Sequence, residues 1–138
     1  MTLTGDVLLP GPAVTAPALV LTAPISFWGG VNPKTAEIAE PRHPEFGQCL
    51  AGRVVFIPAT IGSSSAAAIL LELVHAGRAP AAVVLHEPDA ILLLGLIVAR
   101  EMGLATPIAL RLDASRYALF DGRMIRVSED GAVEWGDA

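Results

Sequence analysis

The sequence predicts an α/β domain built on a mixed sheet, and three observations carry that prediction. Across residues 53–111, short β-branched runs alternate with longer aliphatic runs, in the order strand–helix–strand–helix–strand. The second strand-like run, residues 81–87, is apolar on both faces, as expected of a central parallel strand. Beyond residue 111 apolar and polar residues alternate around Asp121-Gly122, a strong antiparallel hairpin signal. Parallel βαβαβ units followed by a C-terminal hairpin give a mixed sheet with a barrel-like edge. Its crossovers should be right-handed. The 138 residues suit one domain, 1–138, with a real core and no linker or internal repeat.

Residues 1–17, interrupted by Gly5, Pro10, Gly11, Pro12 and Pro17, read as an irregular arm, and residues 18–22 as a first strand. Residues 29–48 are dense in Gly, Pro and charge and read as a long loop, a kind that is usually functional or partner-bound. Residues 53–59 ("RVVFIPA") are a strand. Residues 64–77 are a helix that serine can cap, with a polar edge at Glu72 and His75 and a left-handed stop at Gly77. Residues 81–87 are a central strand. Residues 88–103 are a second helix, with Pro88 in its first turn, Asp89 at the positive end of its dipole and Gly103 at its stop. Residues 106–111 are a third strand. The tail reads as strands at 116–120 and 123–128 around Asp121-Gly122, with "EDG" turning into a last strand at 132–135.

Hydrophobic residues make up 53% of the chain and charged residues 17%, and the mean hydropathy is +0.57. Such a chain needs a membrane or a large partner interface. The longest apolar run, residues 90–99, falls well short of the roughly 20 residues a span needs and reads as a core helix. The start lacks the basic segment of a signal peptide. A cytoplasmic subunit with a buried interface and no membrane contact is expected, ahead of an unusually apolar monomer. The net charge is −5 and the nine basic residues are dispersed, which argues against a nucleic-acid partner. The one cysteine, Cys49, can neither form a disulfide within the chain nor hold an iron–sulfur cluster or zinc ion unaided, and reads as a small buried residue.

The candidate site is Gly62-Ser63-Ser64-Ser65, between a strand's carboxyl end and a helix's amino end, where open α/β sheets bind ligands. Three readings stand on the residues alone: a cap with spacers, a phosphate or carboxylate site on the helix N–H groups, or a catalytic serine. A nucleotide P-loop would need a lysine after the glycine, and none is present. Phe27-Trp28-Gly29-Gly30 reads either as a site mouth, its paired glycines allowing close backbone approach, or as a packed aromatic and a turn. His43 reads as a solvated loop residue, His75 and His86 as structural, and Glu87-Pro88-Asp89 as helix initiation.

Residues 24–38 ("PISFWGGVNPKTAEI"), 46–67 ("FGQCLAGRVVFIPATIGSSSAA") and 70–101 follow one another in an order that resembles the swivelling β/β/α domain of the aconitase X family of hydro-lyases. The "FWGG" segment, the "FGQ-x-LAGR" lead-in and the "GSSS" loop carry the resemblance, and the tail beyond residue 111 adds little. The resemblance implies an aconitase-like swivelling domain that closes over a large subunit and pairs with it one to one. It implies that the large subunit holds the iron–sulfur cluster or metal and much of the substrate pocket, with no cofactor held here. It implies Ser63 as the base that removes the carbon-bound proton, and Ser64 as a holder of substrate carboxylate or phosphate. Ser65 is then a helix cap near substrate, with Gly62, Phe27, Trp28, Gly29 and Gly30 around it. Family activities imply dehydration of a small hydroxy acid, either cis-3-hydroxy-L-proline or mevalonate 5-phosphate, the latter as a phosphomevalonate dehydratase small subunit. A non-catalytic swivelling ligand-binding module is the further alternative. Sparse charge and a single lysine, Lys34, lean toward a bacterial source and hence hydroxyproline.

Departures from the family pattern stand beside it. Aconitase-like loops often end Gly-Ser-Ser-Arg, the arginine clamping a carboxylate, whereas position 65 here is serine. The clamp is then expected elsewhere, on the large subunit. Relatives also carry aspartate in place of Asn32 and glycine in place of Ala36. The arm and the long loop are expected to meet the partner.

Overall fold

The computed structural model describes residues 1–62 and 64–136. Its strands are β1 (Thr2–Thr4), β2 (Asp6–Leu9), β3 (Val14–Val20), β4 (Val54–Ile57), β5 (Ala82–Leu85), β6 (Ile108–Arg111), β7 (Met124–Val127) and β8 (Ala132–Trp135). Its helices are a single irregular turn, α1 (Phe27–Gly30), then α2 (Ala66–His75) and α3 (Ala90–Glu101), with a 3₁₀ helix at Ala114–Phe120. The strand order is β1-β8-β7-β3-β4-β5-β6-β2. Strands β3 to β6 pair in parallel and the others antiparallel. The mixed sheet read from the sequence is therefore present, with β4 and β5 buried at every position as expected of central parallel strands.

Gly5 alone separates β1 from β2, yet these strands pair at opposite ends of the order. The sheet therefore curls until residues 2–9 bridge its two ends, which covers both edges against unwanted pairing. Backbones meet closely at this seam. A Cβ on Gly5 would lie 2.8 Å from the Arg111 carbonyl oxygen, and the Gly5 N–H bonds Gly131 O at 2.9 Å. The predicted irregular arm is thus three strands. Pro17 had argued against extending β3, but the Ala18 N–H bonds toward β7, to Arg123 O. Strand alternation then aims position 17 at the other side, where pairing with β4 begins only at Ala18, so no ladder donor is lost.

Two cores fill the faces of the sheet. Leu70, Leu73, Leu92 and Leu96 of α2 and α3 pack on Val55, Ile57, Val83 and Leu85. Inside the curl, Phe56 stacks on Phe120 at 4.6 Å and meets Tyr117 edge-on at 5.4 Å. The tail differs from its predicted hairpin. Asp113 accepts from the Ser115 N–H and starts a 3₁₀ helix. Tyr117 and Phe120, three apart, then both enter the core, a period of three rather than two. The C-terminal hairpin exists, but it joins β7 to β8 through residues 128–131.

The chain's one tyrosine sets an alkaline limit. The Tyr117 hydroxyl donates to Leu112 O at 3.0 Å, and burial pushes its ionisation well above the ordinary tyrosine value of about 10. Below that value neither state ionises. Above it the unfolded chain loses the proton first, so stability should fall as pH rises past about 10. Tyr117→Phe should lower stability by about 1 kcal/mol at neutral pH through the lost hydrogen bond. It should also flatten the decline above pH 10, read from urea unfolding at several pH values.

Candidate active site

The loop that leaves β4 runs past Pro58 and Thr60 into α2, at the carboxyl ends of the parallel strands. Ile25 lies beside it in a parallel bridge with Thr60. The Ile25 N–H bonds Ala59 O at 3.1 Å, and the Ile61 N–H returns to Ile25 O at 2.9 Å. These bonds bring the Phe27–Gly30 turn alongside the serine loop, although the two segments are far apart in sequence. A third element also holds the loop. The Thr60 hydroxyl donates to Asp89 Oδ2 at 2.7 Å, while Asp89 Oδ1 accepts from the Ile91 and Leu92 N–H groups. Asp89 therefore caps α3, as its sequence position suggested, and also straps the serine loop, which no local pattern revealed. Pro88 precedes this cap rather than lying in the first turn.

The predicted site residues divide. Ser63, the expected base, lies outside the described residues. Ser64 is exposed. Ser65 takes the N-cap position of α2 with helical φ/ψ of −73° and −13°, and its carbonyl accepts the Ala68 N–H. Its side chain makes no capping hydrogen bond, so the expected side-chain cap is corrected. Gly62 is exposed, and a Cβ there would touch nothing within 4 Å. Phe27 corrects the expected mouth: only 1% exposed, it belongs to the helix-side core. Trp28 is 59% exposed. Together with Gly29, Gly30, Arg42 and Ile61 it lines a cavity of about 510 Å³. On its other side Trp28 joins Asn32, Lys34 and Ile69 around a second cavity of about 590 Å³. Ile61 lies at the entry to the serine loop, and Ile69 lies in the first half of α2.

His43 is buried rather than solvated. Its Nδ1 accepts the Glu45 N–H at 3.0 Å, which leaves Nε2–H to donate to Ala23 O at 3.2 Å. The imidazole thus ties the 40–46 segment to the chain entering α1. His86 is structural, its Nδ1 accepting the Ala114 N–H, and His75 is exposed at the end of α2. Asn32 Oδ1 accepts the Lys34 N–H in a turn of its own. Ala36, where relatives were expected to carry glycine, has φ +65°. The Cys49 thiol is half-buried and donates to Thr35 O at 3.4 Å. Among the described residues no three His, Cys, Asp or Glu side chains converge on a metal position. No described helix is long and apolar enough to cross a membrane.

A family model for the aconitase X swivel domain matches residues 2–135. A Pseudomonas aeruginosa cis-3-hydroxy-L-proline dehydratase is 50% identical over 100 residues, covering 70% of this chain and 17% of that protein. A Hypocrea jecorina protein of the same name is 33% identical, over 90% of this chain and 21% of its own length. The phosphomevalonate dehydratase small subunit of Methanopyrus kandleri is 40% identical over 62% of this chain and 63% of its own. The chain thus spans about a fifth of the first two relatives and less than two thirds of the third. Among solved structures, aconitase X of Thermococcus kodakaraensis superposes with a TM-score of 0.84 over 99% of both chains, at 25% identity.

Proposed function

The chain belongs to the aconitase X swivel-domain family, and from that premise we propose that it is the small subunit of a dehydratase acting on cis-3-hydroxy-L-proline. The 50% identity to the Pseudomonas aeruginosa enzyme of that activity is the observation that carries this substrate. The match to small subunits named for phosphomevalonate dehydratase supports mevalonate 5-phosphate as the second reading. In both, Ser63 takes a proton from the carbon next to the hydroxyl-bearing one. The C–H electron pair becomes the new C=C bond as the C–O bond breaks and the hydroxyl departs. Free serine is far too weak an acid for this, so its proton must be lost in a positively charged site. The N–H groups at the start of α2 supply part of that field.

The residues described here do not suit an iron–sulfur cluster, since the one thiol is occupied with Thr35. We place any cluster or metal on the large subunit, and the pair in the cytoplasm. The large subunit docks on α3, whose Ile91, Leu94, Ile97 and Val98, with Met102 just past its end, form an exposed aliphatic face. The first 17 residues pair through β1, β2 and the start of β3, and most of their side chains stay exposed, so they keep their place in the expected interface.

Co-expression with a large subunit of the aconitase X family, followed by assay of both substrates, tests the proposal. A one-to-one pair that turns over cis-3-hydroxy-L-proline is expected, and Leu94→Glu should prevent the pair from forming without unfolding this chain. Turnover of mevalonate 5-phosphate alone would select the second reading. A stable pair active on neither would leave a ligand-binding module.

A further inference from the structure

We propose that Arg42 is the carboxylate clamp of this subunit, an inference that rests on the dehydratase reading above. The structure offers a cation on the wall of the cavity that Ile61, at the entry to the serine loop, also lines. Arg42 lines the 510 Å³ cavity with Trp28, Gly29, Gly30 and Ile61, one residue from Gly62. Its backbone is held firmly. The Arg42 N–H bonds Glu40 Oε1 at 3.1 Å, and the buried His43 ring next to it bridges Ala23 O and the Glu45 N–H.

Two acids lie near Arg42, and one of them, Glu40, lines the same cavity. Glu40 is turned onto that backbone N–H, and Glu45 accepts from the Thr22 N–H and hydroxyl. Among the described residues no carboxylate pairs with the Arg42 guanidinium. A cation left without a partner at the wall of a concave site, next to the reacting loop, is placed for an anion brought by the substrate. The planar guanidinium matches the two oxygens of a carboxylate, a group common to both candidate substrates. The apolar Ile61 and Trp28 side chains offer surface for a small ring. Lys34, across Trp28 in the second cavity, is a point charge on a flexible stem and serves as the comparison.

The test uses the assembled pair. Arg42→Gln should raise KM for cis-3-hydroxy-L-proline about 10- to 100-fold, as for loss of a charge-assisted hydrogen bond, with kcat nearly unchanged. Arg42→Lys should recover part of the loss, and Lys34→Gln should leave KM as it was. Calorimetric titration of the pair with L-proline should show binding that is absent with L-prolinamide and absent in Arg42→Gln. An unchanged KM in Arg42→Gln overturns the inference. Loss of the pair in that variant overturns it in favour of an ion pair with the large subunit. Arg42-dependent binding of inorganic phosphate but not L-proline overturns it in favour of a phosphate site. If the wild-type pair turns over neither substrate, the dehydratase reading fails. The L-proline and L-prolinamide titrations then decide Arg42 alone, binding of the acid only supporting the clamp and its absence refuting it.

Discussion

Ser63→Ala is expected to cut turnover of the assembled pair by about 10² or more while leaving folding and assembly intact, the scale of losing a general base. Residues 59–61, which lead toward Ser63, are held by β4, by the Ile25 bridge and by the Thr60–Asp89 hydrogen bond. None of these bonds uses the Ser63 hydroxyl, so its removal should cost little stability. The comparison that matters is with Ser64→Ala, which should mainly raise KM. A capping triplet would instead lower stability without a selective loss of turnover. Steady-state kinetics beside urea unfolding separates the two. Turnover within about threefold of wild type in Ser63→Ala would remove it from the chemistry.

Gly95→Leu should destabilise the chain by about 3 kcal/mol, at the upper end for overpacking. A Cβ at position 95 would lie 2.5 Å from the Ala67 carbonyl oxygen and 3.2 Å from the Ala67 Cα. Backbone atoms cannot rotate aside as a side chain can, so α2 and α3 must separate. Replacing glycine within a helix gains about 1 kcal/mol of propensity, which is too little to offset that separation. Because Ala67 lies in the first turn of α2, the shift displaces the serine loop as well. Turnover per folded molecule should therefore fall with stability. An unchanged urea midpoint would mean that the helices cross less closely than described.

The βαβαβ core was legible because each of its signals is local. Apolar runs of strand length, Asp89 ahead of α3, and glycines at +71° and +80° just past the two helices all lie within a few residues. The N-terminal strands were not legible. Their pairing is long-range, β1 with β8 and β2 with β6, and the prolines around them resemble breakers until the ladder side they face is known. The tail misled because Tyr117 and Phe120 fit an alternating pattern about as well as a three-residue one. At the site, the serine loop and the aromatic–glycine turn each carried a motif, but their contact did not. One bridge at Ile25 makes it, and Arg42 shares a cavity with Ile61 at the loop's entry. His43 was misjudged because its charged and proline-rich neighbours suggest solvent, whereas its two ring hydrogen bonds permit burial. Gly95 sat unremarked in an aliphatic run, since no sequence pattern says which helical position meets another backbone.

The central claim is that this chain supplies the base, and isotope exchange tests it most directly. Substrate recovered after partial turnover in deuterium oxide should carry deuterium at the carbon next to the hydroxyl-bearing one when the wild-type pair is used. It should carry none when Ser63→Ala replaces it. Exchange at the wild-type rate in Ser63→Ala would contradict the account and place the base on the large subunit.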